Sequence, residues 1–439
     1  MKVGWAVGEL GVAAFIGVML IFLLFFLTQA LDISPVLAGF ALLIPRLVDV
    51  ALDPLIGVVS DRTRSRLGRR RPFLLMGALA LGPLFALTFS MPSYWPEIGK
   101  VVYVTALYLL ASCAYSIFDV PYSAMAAEFT SDYRERTNLI TYKEIAARIG
   151  IILAVLVSPL IFTSQRTLAS GFQLLGIVGG VFISLTFFVS FFATANAPRH
   201  DVTLKRFEFR QELAAIVENR PFRILWLVFL AQNIAIGVSS TAAIYLITLV
   251  MRANVTVVGP LIAIGAALGM FVTPLWALVA RRLGKRAGYF LALAIVGVMS
   301  LPALFIPAHL YQLLFAVLLV AGLGDAGIQL LSGSMVPDTV EVDEHKTGMR
   351  REGSVFGAWI FCRKLGMTVG AFLTSVGLSL FGFVGGEGNQ QQSALTLTGI
   401  RIIYCLVPFA FYLVAMMLLC RYDLSESRFN ALKAQIAAR

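Results

Sequence analysis

Asp49 and Asp53 stand one helical turn apart inside the apolar stretch 35–59. Residues four apart share a helix face, and Arg46, three before Asp49, extends the same stripe. An ionisable side chain near the centre of a bilayer costs at least ~2.5–3.5 kcal/mol. Three on one stripe therefore point to a protein interior, a water-filled cavity or a bound cation. Paired carboxylates suit a hard monovalent cation, because their oxygens replace its hydration shell. They also suit a proton, because each carboxylate favours protonation of the other. The competing reading is a salt-bridge lattice of Arg46, Asp49, Asp53 and Lys364 that only locks helices together.

The elements that must carry these groups are membrane spans. The chain has 439 residues, of which 59% are hydrophobic and 13% charged, a balance that excludes an ordinary soluble protein. Twelve stretches are long and apolar enough to cross a ~30 Å hydrocarbon core as helices. They are 10–31, 35–59, 72–91, 99–128, 140–163, 170–194, 221–251, 254–280, 287–306, 309–335, 353–383 and 395–420. The fold class is thus an all-α polytopic membrane protein, with two six-helix halves. The boundaries are 1–196 for the first bundle, 197–220 for a linker, 221–420 for the second bundle and 421–439 for a tail.

Lys and Arg concentrate in alternate connections and the tail, which places both termini in the cytoplasm; the expected location is the plasma (inner) membrane. The net charge of +11 then reports topology and gives no reason to expect a nucleic-acid partner. Cys113, Cys362, Cys405 and Cys420 all fall in predicted spans, so no disulfide framework is expected. The halves echo one another at an offset of roughly 210 residues. Ser65-Arg-Leu-Gly-Arg-Arg resembles Arg281-Arg-Leu-Gly-Lys-Arg, and Ser123-Ala-Met-Ala-Ala-Glu is loosely matched by Ser332-Gly-Ser-Met-Val-Pro-Asp. Repeated six-helix halves around a mid-membrane site are transporter architecture.

The buried charges also agree in depth. Counted at ~1.5 Å per residue, Asp49, Asp119 and Lys364 fall within several ångströms of one level, and Ser116 shares the face of Asp119. Gly322-Leu-Gly-Asp-Ala-Gly327 matches a dinucleotide-binding pattern but has no preceding strand, so it reads as helix packing, with Asp325 a cavity-lining candidate. Asp61 and Arg62 lie in a polar turn that either clamps helix ends or is simply solvated. Glu128, Asp132, Arg134, Glu135 and Arg136 read as a mixed-charge gating loop. Tyr122 and Trp359 offer ring faces to a sugar or pack against neighbouring helices. No nucleophile–base set stands at mid-depth, which argues against an enzyme.

Arg46-Leu-Val-Asp-Val-Ala-Leu-Asp-Pro54 resembles the second-helix signature of the glycoside–pentoside–hexuronide:cation symporters, the melibiose permease relatives of the major facilitator superfamily. Asp119-Val-Pro-Tyr-Ser-Ala-Met, Ser131-Asp-Tyr-Arg-Glu-Arg-Thr137, Met335-Val-Pro-Asp-Thr-Val-Glu-Val-Asp-Glu344, Arg350-Arg-Glu-Gly and Arg363-Lys-Leu-Gly366 extend the resemblance over both halves. It implies a sodium-, lithium- or proton-coupled symporter with alternating access and no cofactor. Its partners are a small-molecule substrate, a monovalent cation and membrane lipids, and a monomer is expected. No metal site is implied beyond a transported Na+.

Residue by residue, the resemblance makes Asp49 and Asp53 the cation carboxylates, assisted by Ser116 in the place of a threonine. Lys364 becomes the nearby lysine, and Asp119 a sugar-hydroxyl acceptor. Tyr122, Ser123, Lys143 and Trp359 are the other substrate candidates. Arg46, Arg363, Lys364, Glu144 and Arg148 form the charge network, with the choice between Arg363 and Lys364 left open by their ~100° divergence on a helix.

The departures fall on the sugar side. Ala13 replaces a first-helix aspartate, Ser123 a stacking tryptophan and Glu144 an arginine, with Lys143 and Arg148 nearby. Leu52 replaces an asparagine, which shifts the balance from Na+ toward H+. The expected function is cation-coupled symport of a sugar or glycoside. The alternatives are a non-sugar organic solute or lysolipid, or proton-driven export of amphiphiles.

Overall fold

The computed structural model describes residues 2–92, 94–129, 133–195, 218–347, 352–386 and 391–424. Among them twelve long helices succeed one another. In the first half, α1 spans Lys2–Ile21 and runs on to Ala30, followed by α2 Pro35–Arg62, α3 Arg71–Thr88, α4 Glu97–Phe129, α5 Tyr133–Phe162 and α6 Leu168–Ala193. In the second, α7 is Arg220–Tyr245 with an extension to Val250, α8 Val258–Leu283, α9 Lys285–Met299, α10 Leu313–Thr347, α11 Glu352–Leu380 and α12 Ala394–Leu419. The predicted linker and tail lie largely outside the described residues.

Local chemistry sets several ends. Thr167, Asn219 and Ser393 accept hydrogen bonds from backbone N–H groups at the starts of α6, α7 and α12, satisfying donors that have no partner within the helix. Pro45 and Pro54 flank the Asp49–Asp53 pair within α2. Lacking an N–H, they free the carbonyls one turn earlier and loosen the backbone on both sides of the carboxylates. Pro274 acts in the same way in α8, which bends by 46° between Gly269 and Phe271.

The halves repeat each other in detail that the sequence echo only suggests. The Leu-Gly-basic-basic turns place Gly68 and Gly284 in the left-handed region, at φ of 98° and 82°. The far ends of α1 and α7 each widen into a π turn, at Phe26–Ala30 and Leu246–Val250. Each π turn is followed by a left-handed non-glycine residue, Asp32 and Arg252 respectively. Even the closing hydrogen bonds correspond, Leu31 and Ile33 to Phe26 and Leu27 on one side, Met251 and Ala253 to Leu246 and Ile247 on the other.

Because lipid is as apolar as the helices, close approach rather than hydrophobic transfer drives their association. Gly82 and Gly180 let α3 and α6 touch backbone to backbone, and a Cβ on either would collide with the other's carbonyl. The two halves meet through α1–α7, α2–α11 and α5–α8. With the face bearing the N-terminus called the terminal face, these junctions lie toward the opposite, far face. There Thr28 Oγ1 and Tyr245 Oη share a 2.7 Å hydrogen bond, and Gly386 N donates to the Thr28 carbonyl at 3.1 Å. Gly39 packs on Ser375 and Phe372, and Gly259 on the Val155 backbone. The ion pairs Lys2–Glu135, Asp61–Arg70 and Lys285–Asp338, toward the terminal face, each join elements of one half.

Candidate functional site

Two clusters face the junction between the halves, and α4 carries residues of both. The first is the α2 pair. Asp49 is fully buried, whereas the Asp53 side chain is 22% exposed. Ser116 Oγ lies 2.5 Å from Asp49 Oδ1 and 2.6 Å from Asp53 Oδ1. Lys364 Nζ reaches across from α11 to Asp53 Oδ2 at 2.6 Å and Asp49 Oδ2 at 3.2 Å. Arg46 donates to Tyr108 Oη at 2.8 Å and approaches Asp49 at 3.4 Å. Two carboxylates and two cations therefore neutralise each other in the interior. Lys364 is the residue that meets the pair, while Arg363 beside it is exposed.

A hydroxyl has one proton to donate, yet Ser116 touches two acceptor-only carboxylates. Only one of the two contacts can therefore be its hydrogen bond at a time. The Lys364 ammonium bridges the two carboxylates on their other oxygens, in the manner of a monovalent cation. The arrangement can hold one charge and exchange it for another.

The second cluster is a polar chain. Tyr115 Oη donates to Asp119 Oδ2 at 3.1 Å, Ser123 Oγ to Asp119 Oδ1 at 3.3 Å, and Lys143 Nζ to Ser123 Oγ at 2.7 Å. Lys143 also lies 3.5 Å from Glu9 Oε2 on α1. Glu9 is not among the expected site residues, since the expected first span begins at residue 10; the helix begins at Lys2 and carries Glu9 into the interior. The signal was present, since Glu9 is the sole acidic residue before Asp32 and sits one turn before Ala13 on the same face. Glu144 and Arg148 lie on α5 within electrostatic reach of Glu9 and Asp325 respectively.

The structure gives the other expected positions definite partners. Tyr122 is fully buried, donates to the Trp5 carbonyl at 3.0 Å and stacks on Trp5 and Phe118 at 4.9 and 5.1 Å. Its ring is packing, approached by the Lys143 ammonium at 5.3 Å. Trp359 has one face against Phe229 at 3.6 Å. The expected loop at Arg134, Glu135 and Arg136 is instead the first turn of α5. Glu135 pairs with Lys2 at 2.5 Å, and the side chains of Arg134 and Arg136 lie outside the described residues. Asp61 bonds Arg70 at 3.1 Å across the α2–α3 turn, while Arg62 is exposed.

A family model described as MFS/sugar transport protein matches residues 4–426. The uncharacterised symporter YnaJ of Bacillus subtilis (strain 168) is 28% identical, over 100% of this chain and 94% of its own length. The putative glycoside/cation symporter YagG of Escherichia coli (strain K12) is 26% identical, over 99% and 94%. Among solved structures, an inward-facing, unoccupied bacterial homologue of the human lysosomal transporter Spinster superposes with a TM-score of 0.69 at 14% identity, covering 97% of each chain. The chain is a membrane transporter, not an enzyme, and belongs to the glycoside–pentoside–hexuronide:cation symporter family of the major facilitator superfamily.

Proposed function

We propose that the protein couples entry of a monovalent cation, Na+ or H+, to entry of a sugar or glycoside. The observation that carries this reading is the Lys364 ammonium bonded to both Asp49 and Asp53, with Ser116 on their other side. An incoming cation competes with Lys364 for the same oxygens. Its arrival releases a tie between α2 and α11, and so between the halves. The positive-inside rule assigns the terminal face to the cytoplasm, so the sealed far face corresponds to an inward-open resting state.

Asp119 links cation to substrate. It stands three residues after Ser116 on α4 and holds the polar chain that ends at Lys143 and Glu9. A sugar hydroxyl exchanging with Ser123 or Lys143 would reorient Asp119, one turn from the cation oxygens. By linkage, cation and sugar then raise each other's affinity by the same factor. The relative named a glycoside/cation symporter supports the substrate class. The Glu9–Lys143 pair offers this chain a carboxylate and a cation for hydroxyl recognition despite Ala13 and Ser123.

Counterflow in proteoliposomes with labelled sugars, at varied Na+ and pH, tests the proposal. Sugar exchange stimulated by one of the two cations is expected. Transport of amphiphiles with no sugar exchanged would overturn it.

A further inference from the structure

The polar substrate groups described so far all belong to the first half, whereas a site that alternates between two faces is built from both. The second half presents one polar stripe toward the interior. Asp325, Gln329, Gly333 and Pro337, four residues apart on α10, are all exposed. The large apolar residues that α10 exposes, Leu313, Leu319 and Val320, all precede Asp325 and lie toward the far face. From Asp325 onward, the described part of α10 therefore shows only small or polar side chains on its open face. A lipid-facing surface would not be so composed.

Asp325 is exposed on this stripe, and Gln329 stands one turn further along the same face. A Cβ built on Gly333 meets nothing within 4 Å, so the space in front of this stripe is open. Arg148, from α5 of the other half, is close enough for its charge to act on Asp325. Charges from opposite halves thus lie within electrostatic range of one another.

We propose that Asp325 and Gln329, with Arg148 opposite, form the second wall of the substrate site and select a neutral, hydroxyl-rich ligand over its uronide. This rests on the sugar reading above. A carboxylate accepts from two adjacent hydroxyls, and a guanidinium fork donates to two adjacent oxygens, so the pair can grip a vicinal diol from both sides. With no ligand bound the two groups attract each other instead. The charge balance sets the ligand class. Glu9 has Asp119 and Glu144 near it as well as Lys143, and Asp325 has Arg148, which makes four carboxylates to two cations in this set. An added carboxylate on the ligand would meet net repulsion.

Two measurements on the full-length protein test the proposal. In a background with the four cysteines replaced by serine, the single variants Asp325→Cys, Gln329→Cys and Gly333→Cys are treated with a membrane-impermeant maleimide in inside-out vesicles. All three are expected to react, and Leu319→Cys is not; unreactive 325, 329 and 333 variants would remove the wall whatever the substrate is. The second measurement is counterflow of methyl glucoside against methyl glucuronide. Wild type is expected to favour the glucoside at least tenfold, and preference for the glucuronide overturns the charge argument.

For the glucoside, Asp325→Asn and the double variant Asp325→Asn/Arg148→Gln are both expected to raise the half-saturating concentration about 10- to 100-fold, the loss for a charged hydrogen-bonding partner. If the pair were only a lock between halves, the double variant would regain wild-type affinity, and that result overturns the clamp. Wild type that moves neither glycoside overturns the sugar reading and the ligand class with it. The maleimide arm decides separately whether the wall exists.

Discussion

Lys364 Nζ on α11 lies 2.6 Å from Asp53 Oδ2 on α2, a bond that spans 311 residues of sequence and ties the two halves together at mid-membrane. Asp53 is also the more open of the two carboxylates, whereas Asp49 is enclosed by Ser116, Lys364 and Arg46. In the proposed coupling, a cation arriving through the cavity would meet Asp53 first and displace Lys364 before engaging Asp49.

Removing either carboxylate should abolish cation-driven accumulation. Asp53→Asn and Asp49→Asn are expected to keep substrate exchange measurable while losing uphill transport, read as steady-state accumulation against an imposed Na+ or proton gradient. Asp49→Asn should also lower thermal stability more, because it leaves charge uncompensated in the interior. Wild-type accumulation by either variant would leave only the salt-bridge lattice.

Lys364→Gln removes the internal competitor for the cation oxygens. Cation affinity without sugar should rise about tenfold or more, since the cation no longer displaces a charge-assisted hydrogen bond. Turnover should fall, because the unloaded carrier returns with two carboxylates less well neutralised. Isothermal titration of the detergent-solubilised variant, paired with counterflow and net-uptake rates, separates the two effects.

Ser116→Ala deletes the hydroxyl that touches both carboxylates, and about tenfold weaker cation binding is expected. Ser116→Thr keeps the hydroxyl and should retain coupling. Equal loss in both variants would mean that the position matters for its volume and not for its oxygen.

At the far face, Tyr245→Phe removes the hydrogen bond with Thr28, worth about 0.5–1.5 kcal/mol. A few-fold shift toward the outward-open state should follow, measured by spin-label distances across the α1–α7 junction. Gly39→Leu should shift it further, since a Cβ there collides with Ser375 Oγ.

Glu9→Gln should raise the half-saturating concentration of substrate and leave the cation dependence of exchange unchanged. That split distinguishes a substrate group from a member of the cation site. A change in cation dependence alone would move Glu9 into the coupling network.

The spacing of Asp49 and Asp53, the twelve apolar stretches and the alternating basic connections were legible in the sequence because each is local. Helix periodicity decides which residues share a face, and the cost of charge in hydrocarbon decides that such a face turns inward. Pairings between distant segments were not legible in the same way. Adjacent residues Arg363 and Lys364 diverge by ~100° on a helix, so only the packing of α11 on α2 brought Lys364 to the carboxylates and left Arg363 outside. Tyr122 and Ser123 are likewise neighbours, yet one is sealed in an aromatic stack and the other joins the Lys143–Asp119 chain. Glu9 lies in the interior because α1 starts at Lys2, eight residues before the expected span. Asp325 and Arg148 come within electrostatic range only because α5 of one half and α10 of the other are brought together in the fold. Periodicity ranks the faces of one helix; which neighbour each face meets depends on contacts between helices far apart in the chain, and those the tertiary structure decided.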